Sequence, residues 1–213
     1  NSFVDVLADL HSLDPDEIGL GDLGKRDSYV GRQLKTWYRS WTSSIKGADF
    51  DDARAHALQK FFLEKLPEQE KARVVHGDYG LHNCLTGPDC TVAAVVDWEI
   101  STLGDPLADL AYALNFFPDP TDTIPISPEA ATAVPGFPTR TEMAARYGAR
   151  TKRDLSNLDY YTAFNRWKSA CIVHGLYARY MDGKKSSEGV DLEHMRSRID
   201  ASLALAEEAV NRL

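Results

Sequence analysis

The sequence predicts an α+β protein that is mostly helical, with one small antiparallel β-hairpin region. Three observations predict it. Apolar residues recur at helical spacing through most of the 213 residues. Two short runs of β-formers, Val74-Val75 and Val95-Val96, interrupt that pattern, and each turns polar at a carboxylate, Asp78 and Asp97. Between them Gly87-Pro88-Asp89 supplies a tight turn. The length suits one well-packed domain over residues 1–213.

In order, Phe3, Val4, Leu7, Leu10 and Leu13 mark a first helix that Asp14-Pro15 stops. The Gly-rich loop through Gly24 has no Walker lysine and serine and follows no apolar strand, so it is not a phosphate cradle. Asp27 or Ser28 caps a second helix with Tyr29, Leu34, Trp37, Tyr38 and Trp41 as a core-facing aromatic stripe. Asp49 to Leu66 reads as a third helix, with Ala57, Leu58, Phe61, Phe62 and Leu66 on one side and Pro67 at its end. Ala72 to His76 is a short strand. Asn83 to Thr86 and Thr91 to Val96 form the hairpin, which makes Asp97 a neighbour of Asn83. Asp105-Pro106 opens a helix to Phe117, with Asp at the N-cap and Pro at the first helical position. Residues 118–138 read as a long loop, Thr139 to Arg150 as a short helix and Leu158 to Met181 as a long one ended by Asp182-Gly183. Asp191 caps a last helix, Leu192 to Leu213, with Met195, Ile199, Leu203, Ala206 and Val210 inward.

The chemistry concentrates in residues 74–85 and 95–99. Asp78, Asn83 and Asp97 offer oxygen ligands, the donor type that suits magnesium beside substrate phosphates. An aspartate, an asparagine five positions on and a second aspartate after a hairpin is how kinase catalytic loops arrange one base and two metal holders. Asp78 is the candidate base that orients a substrate hydroxyl; Asn83 and Asp97 are the candidate magnesium ligands. Glu99 reads equally as a second-metal or substrate contact and as a salt-bridge partner, and His82 as a substrate contact or a solvated loop histidine. Asp105 reads as a helix cap.

HGDYGLHN (His76 to Asn83) resembles the H-G-D-x-x-x-x-N signature of the aminoglycoside phosphotransferase-like, or choline kinase-like, family. VVDWE resembles its metal-binding segment, and GDPLADLA, from Gly104 to Ala111, the stretch that follows. LADLHSLDPDEIGLGDLG and YYTAFNRWKSACIVHGLYARY look closer still to the phosphotransferase-like domains found with acyl-CoA dehydrogenases. The resemblance implies the C-terminal lobe of a protein kinase-like fold, with ATP as co-substrate, Mg2+ as cofactor and a small molecule bearing a hydroxyl as acceptor. It implies that His76 holds the loop by hydrogen bonds and that Asp109 reaches back to the loop backbone. Helices in 27–66 and 139–213 are the expected substrate side. It also implies an N-terminal lobe with a phosphate-gripping lysine. The chain starts at Asn1 within a helical pattern and so reads as a piece, and without that lobe and lysine it is expected to be inactive alone. Its lobe edge is expected to expose apolar surface that a second copy covers.

Composition bounds the alternatives. A formal net charge of −8, from 24 basic and 32 acidic residues, argues against a nucleic-acid surface. No run approaches the roughly 20 apolar residues of a membrane span, and three irregularly spaced cysteines suit a reduced, cytoplasmic setting. Two other function classes stand beside the kinase reading. A metal-dependent hydrolase would use His76, Asp78, His82 and Asp97 as mixed ligands. A kinase-like binding module would keep the shape without catalysis.

Overall fold

The computed structural model describes residues 1–120, 122–123 and 131–213. Its elements run α1 (Ser2–Ser12), α2 (Tyr29–Ala48), α3 (Ala53–Glu64), β1 (Arg73–Val75), β2 (Cys84–Thr86), β3 (Val92–Val95), β4 (Thr102–Gly104), α4 (Pro106–Leu114), α5 (Arg140–Thr151), α6 (Leu158–Met181) and α7 (Leu192–Val210). They divide into two units, Asn1–Tyr29 with Glu68–Tyr161, and Val30–Pro67 with Thr162–Leu213.

In the first unit α1 lies against α5 and β1, and α4 packs on the same two elements. The apolar stripe of α1, Phe3, Val4, Leu7 and Ala8, is buried. It meets a core that includes Val75, Tyr79, Leu103, Leu110 and Tyr147, all at 0% exposure. Each large side chain so buried contributes roughly 1.5–3 kcal/mol relative to exposure. β1 pairs antiparallel with β4, Val74 opposite Leu103. β2 pairs antiparallel with β3, Cys84 opposite Val95, with an irregularity between Leu85 and Thr86. Gly104 is required by close packing: a Cβ there would lie 2.7 Å from Val75 Cγ2 and 2.8 Å from the Tyr29 ring. Thr139 caps α5 with a capping box, its side chain accepting from the Glu142 N–H while Glu142 reaches back to the Thr139 N–H.

The second unit is helical. Trp41, Phe62 and Trp167 fill its interior at 0% exposure, and the Trp167 indole N–H donates to the Ala55 carbonyl at 2.9 Å. His174 stacks on Trp41 at 4.0 Å between ring centroids. Asp191 caps α7 by accepting from the His194 N–H. Among the described residues no helix is long and apolar enough to cross a membrane.

Several elements differ from the sequence expectation. β4 was not anticipated: three residues are too few to show a period, and Thr102–Gly104 is a strand because β1 supplies its partner. α3 starts at Ala53 because Asp52, not Asp49, caps it. Its buried face is Ala55, Leu58 and Phe62, with Ala57 and Leu66 exposed. Asn83 sits in a single 3-10 turn, Leu81–Asn83, rather than in the strand. α4 ends at Leu114, and in α7 Ala209 is buried rather than Val210. Part of the long loop expected over 118–138 lies outside the described residues.

Candidate active site

β1 ends at His76 and delivers a loop that two side chains hold from below. Gly77 adopts φ +85°, a left-handed conformation that glycine takes without strain. That turn points two successive backbone N–H groups at Asp109 of α4. The Asp109 carboxylate accepts from the His76 N–H at 2.7 Å and from the Gly77 N–H at 2.9 Å. It is buried and also lies 3.2 Å from His11 Nε2 of α1, whose Nδ1 lies 2.7 Å from the Tyr147 hydroxyl of α5. Burial pushes the Asp109 carboxyl upward, yet hydrogen bonds and charge from His11, with the two backbone N–H groups, bring it below its ordinary value.

His76 is wholly buried and both ring nitrogens are engaged. Nε2 lies 2.9 Å from the Val96 carbonyl, and Nδ1 lies 3.3 Å from the Asp78 N–H. The ring therefore donates from Nε2 and accepts at Nδ1, tying the loop to the end of the β2–β3 hairpin. Tyr79 anchors the next position by donating to the Phe3 carbonyl at 2.8 Å.

Asp78 stands above this support, half-buried. The Tyr112 hydroxyl of α4 donates to its Oδ1 in a short hydrogen bond. Burial, then the Asp78 contact, pushes the Tyr112 phenol well above its usual range, which keeps it a donor. The Asn83 amide nitrogen donates to the Asp78 carbonyl at 2.9 Å and to Oδ2 at 3.3 Å. Exposed His82 brings Nε2 to 3.5 Å from Oδ2 and packs edge-on against Phe116. The carboxylate is thus oriented by contacts at both of its oxygens.

The Val96 N–H donates to the Asn83 carbonyl at 2.9 Å, extending the hairpin pairing by one step and bringing the Asp97 backbone beside Asn83. Asp97 adopts φ +66°, a conformation aspartate tolerates better than most residues. It is exposed, and its carboxylate has no hydrogen-bond or ion-pair partner among the described residues. Asn83 spends its amide nitrogen on Asp78, which leaves its side-chain oxygen as an acceptor. One carboxylate and one amide oxygen fit a magnesium ion that completes its shell with water and phosphate oxygens. They do not make an all-protein cage: among the described residues no group of three or more His, Cys, Asp or Glu could hold a metal.

Asp105 caps α4, accepting from the Leu107 N–H at 3.0 Å and from the Tyr161 hydroxyl at 2.7 Å. Burial raises its pKa, only partly offset by these bonds. Exposed Glu99 makes no salt bridge among the described residues. The mixed-ligand set of the hydrolase reading does not assemble, because backbone groups occupy both nitrogens of His76. Two contributors were not singled out from sequence, Tyr112 on Asp78 and Tyr147 behind His11; His11, in an apolar helical pattern, reads from sequence only as a satisfied core histidine, which it is. Leu85, Trp98 and Ile100, beside the site, are 56%, 42% and 54% exposed.

Residues 1–153 match the model of the phosphotransferase enzyme family. The chain is 34% identical to acyl-CoA dehydrogenase family member 11 of Gallus gallus over 194 residues, 87% of this chain and 24% of that protein. It therefore spans about a quarter of that relative's length. A Ralstonia eutropha crystal structure, provisionally assigned as an aminoglycoside phosphotransferase, superposes with TM-score 0.80 at 28% identity, covering 99% of this chain and 65% of that one. The choline kinase of Cryptosporidium parvum shares the fold, with TM-score 0.55 at 13% identity over 99% of this chain and 66% of that one. The architecture is that of kinase-like phosphotransferases.

Proposed function

We propose that this chain, which belongs to the phosphotransferase enzyme family, supplies the base and metal ligands with which the whole natural protein transfers the γ-phosphoryl group of ATP to a hydroxyl of a small molecule, with magnesium held by Asn83 and Asp97. The observation that carries this reading is the state of Asp78: Tyr112 holds its Oδ1 and Asn83 its Oδ2, while the side chain stays 31% exposed. Phosphoryl transfer asks the protein mainly for positioning and charge neutralisation. Asp78 accepts the hydrogen bond of the incoming hydroxyl and aims its oxygen at the phosphorus. Tyr112 prevents the carboxylate from rotating away. Asp109 and His76 keep the loop from sagging when the acceptor binds. Magnesium, when bound, supplies charge neutralisation on the phosphate oxygens.

The name of the Gallus gallus relative supports a hydroxyacyl compound carried on coenzyme A as the first acceptor to screen. An aminoglycoside and choline belong beside it, after the names of the structural neighbours. No Gly-rich loop leading into a strand with a lysine is found in the sequence. The 213 residues alone are therefore proposed to carry the base and metal ligands without turning over. The test is acceptor-dependent ADP release by the whole natural protein and its Asp78→Asn variant. Release that needs an acceptor and falls by about a thousandfold in the variant supports the reading. Full activity in the variant, or ATP binding with no transfer to any acceptor, favours a binding module instead.

A further inference from the structure

In the second unit, α2 and α3 leave an open groove of about 490 Å³. Tyr38 and Leu63 form its apolar wall, and Leu63 is 51% exposed. Lys35 and Arg39, one helical turn apart on α2, stand in its lining, which holds no acidic residue. Neither cation has a hydrogen-bond or ion-pair partner among the described residues. That contrasts with Arg54 of the same unit, which pairs with Asp52 and Asp200. The sequence of α2 sharpens the contrast: it contains Arg32, Lys35, Arg39 and Lys46 and no acidic residue, in a chain of net charge −8. Like charges at this spacing on a helix repel, and an anion lying between them relieves the repulsion. The long stems of both residues add apolar surface below their charges.

We propose that this groove binds a single-chain amphipathic anion, a fatty carboxylate. Its head lies between the Lys35 ammonium and the Arg39 guanidinium, which offers a fork matched to a carboxylate. Its chain runs along Tyr38 and Leu63. A cationic ligand is excluded by the same two charges, and a short acid lacks the apolar contact. The proposal is independent of the phosphoryl-transfer reading, because it concerns binding at different residues.

Calorimetric titration of the whole natural protein with submicellar laurate tests it. Saturable binding of one laurate is expected, with butyrate and dodecyltrimethylammonium failing to bind. Octanoate is expected to bind at least about tenfold more weakly, following the loss of buried methylenes. The Lys35→Gln/Arg39→Gln protein is expected to bind laurate at least about tenfold more weakly, with its melting temperature showing that it stays folded. Leu63→Glu, which puts a negative charge in the wall, should weaken laurate similarly if the double variant misfolds. No saturable laurate binding, equal binding by the double variant or by Leu63→Glu, or equal binding of the cationic analogue would overturn the proposal.

Discussion

Asp78 is held from three directions by residues of unlike origin: Asn83 and His82 from its own loop, and Tyr112 from α4. The loop contacts are near in sequence and the Tyr112 contact is distant, which makes Tyr112 the more informative residue to change. Tyr112→Phe removes one hydroxyl and keeps the ring that packs against Phe116. A hydrogen bond to a charged group is worth about 1.5–3 kcal/mol, so kcat should fall by roughly tenfold to a hundredfold. The KM for ATP should not move, because the hydroxyl donates to the proposed base and not to Asn83 or Asp97. Steady-state kinetics on the whole natural protein checks this, and an unchanged kcat would remove Tyr112 from the positioning role. Residues of this kind explain what the sequence left hidden. The proximity of Asp78, Asn83 and Asp97 was legible because a short loop and one hairpin separate them. Tyr112 sits in an apolar helical pattern, and its contact crosses 34 positions. His11 meets Tyr147 across 136 positions, and no local pattern encodes such a meeting.

At the scale of elements, α1, α4 and α5 share a buried relay that ends in the backbone of the loop. Asp109 was expected to reach that loop only on the strength of a resemblance; the geometry adds that His11 and Tyr147 stand behind it. Removing the partner of a buried charge is costlier than removing an exposed pair. His11→Phe leaves Asp109 without its side-chain partner and should destabilise the fold by about 3–5 kcal/mol. By contrast, Arg146→Ala, which breaks an exposed pair with Asp5, should cost under about 1 kcal/mol. Urea denaturation of the two variants distinguishes them, and equal costs would deny the relay its structural weight.

α2 and α6 hold a second buried histidine. His174 stacks on Trp41, bonds the Phe50 carbonyl at 3.0 Å through Nε2, and leaves Nδ1 buried without a hydrogen-bond partner among the described residues. Burial drives its pKa below the ordinary 6.5. The unfolded chain therefore takes up a proton near pH 6.5 while the folded chain resists it. The stability His174 contributes is complete above that pH and is lost as pH falls below it. Stability measured at pH 7 and pH 5 should drop for the natural protein and drop less for His174→Gln; equal drops would contradict this assignment. The helices themselves were largely legible, since caps such as Asp105, Thr139 and Asp191 coincide with the starts of apolar periodicity. The start of α3 shows the limit: Asp49, Asp51 and Asp52 are all cap types, and the structure uses Asp52 as the cap while Asp51 binds Trp41 and His56.

At the scale of the whole molecule, membership of the phosphotransferase enzyme family and a kinase-like architecture agree with a site built from a positioned carboxylate and oxygen ligands. The sequence motif and the three-dimensional arrangement agree because the loop carries most of its own geometry through Gly77, His76 and Asn83. The acceptor is not legible in the same way, because its contacts come from side chains that no local motif specifies. The central claim is that Asp97 and Asn83 bind magnesium together with a nucleotide. Calorimetry of ATP binding to the whole natural protein, with and without magnesium and beside Asp97→Asn, addresses it most directly. Magnesium-dependent binding in the natural protein that is lost in Asp97→Asn is the predicted result. Binding that ignores magnesium, or that survives unchanged in the variant, would contradict the account.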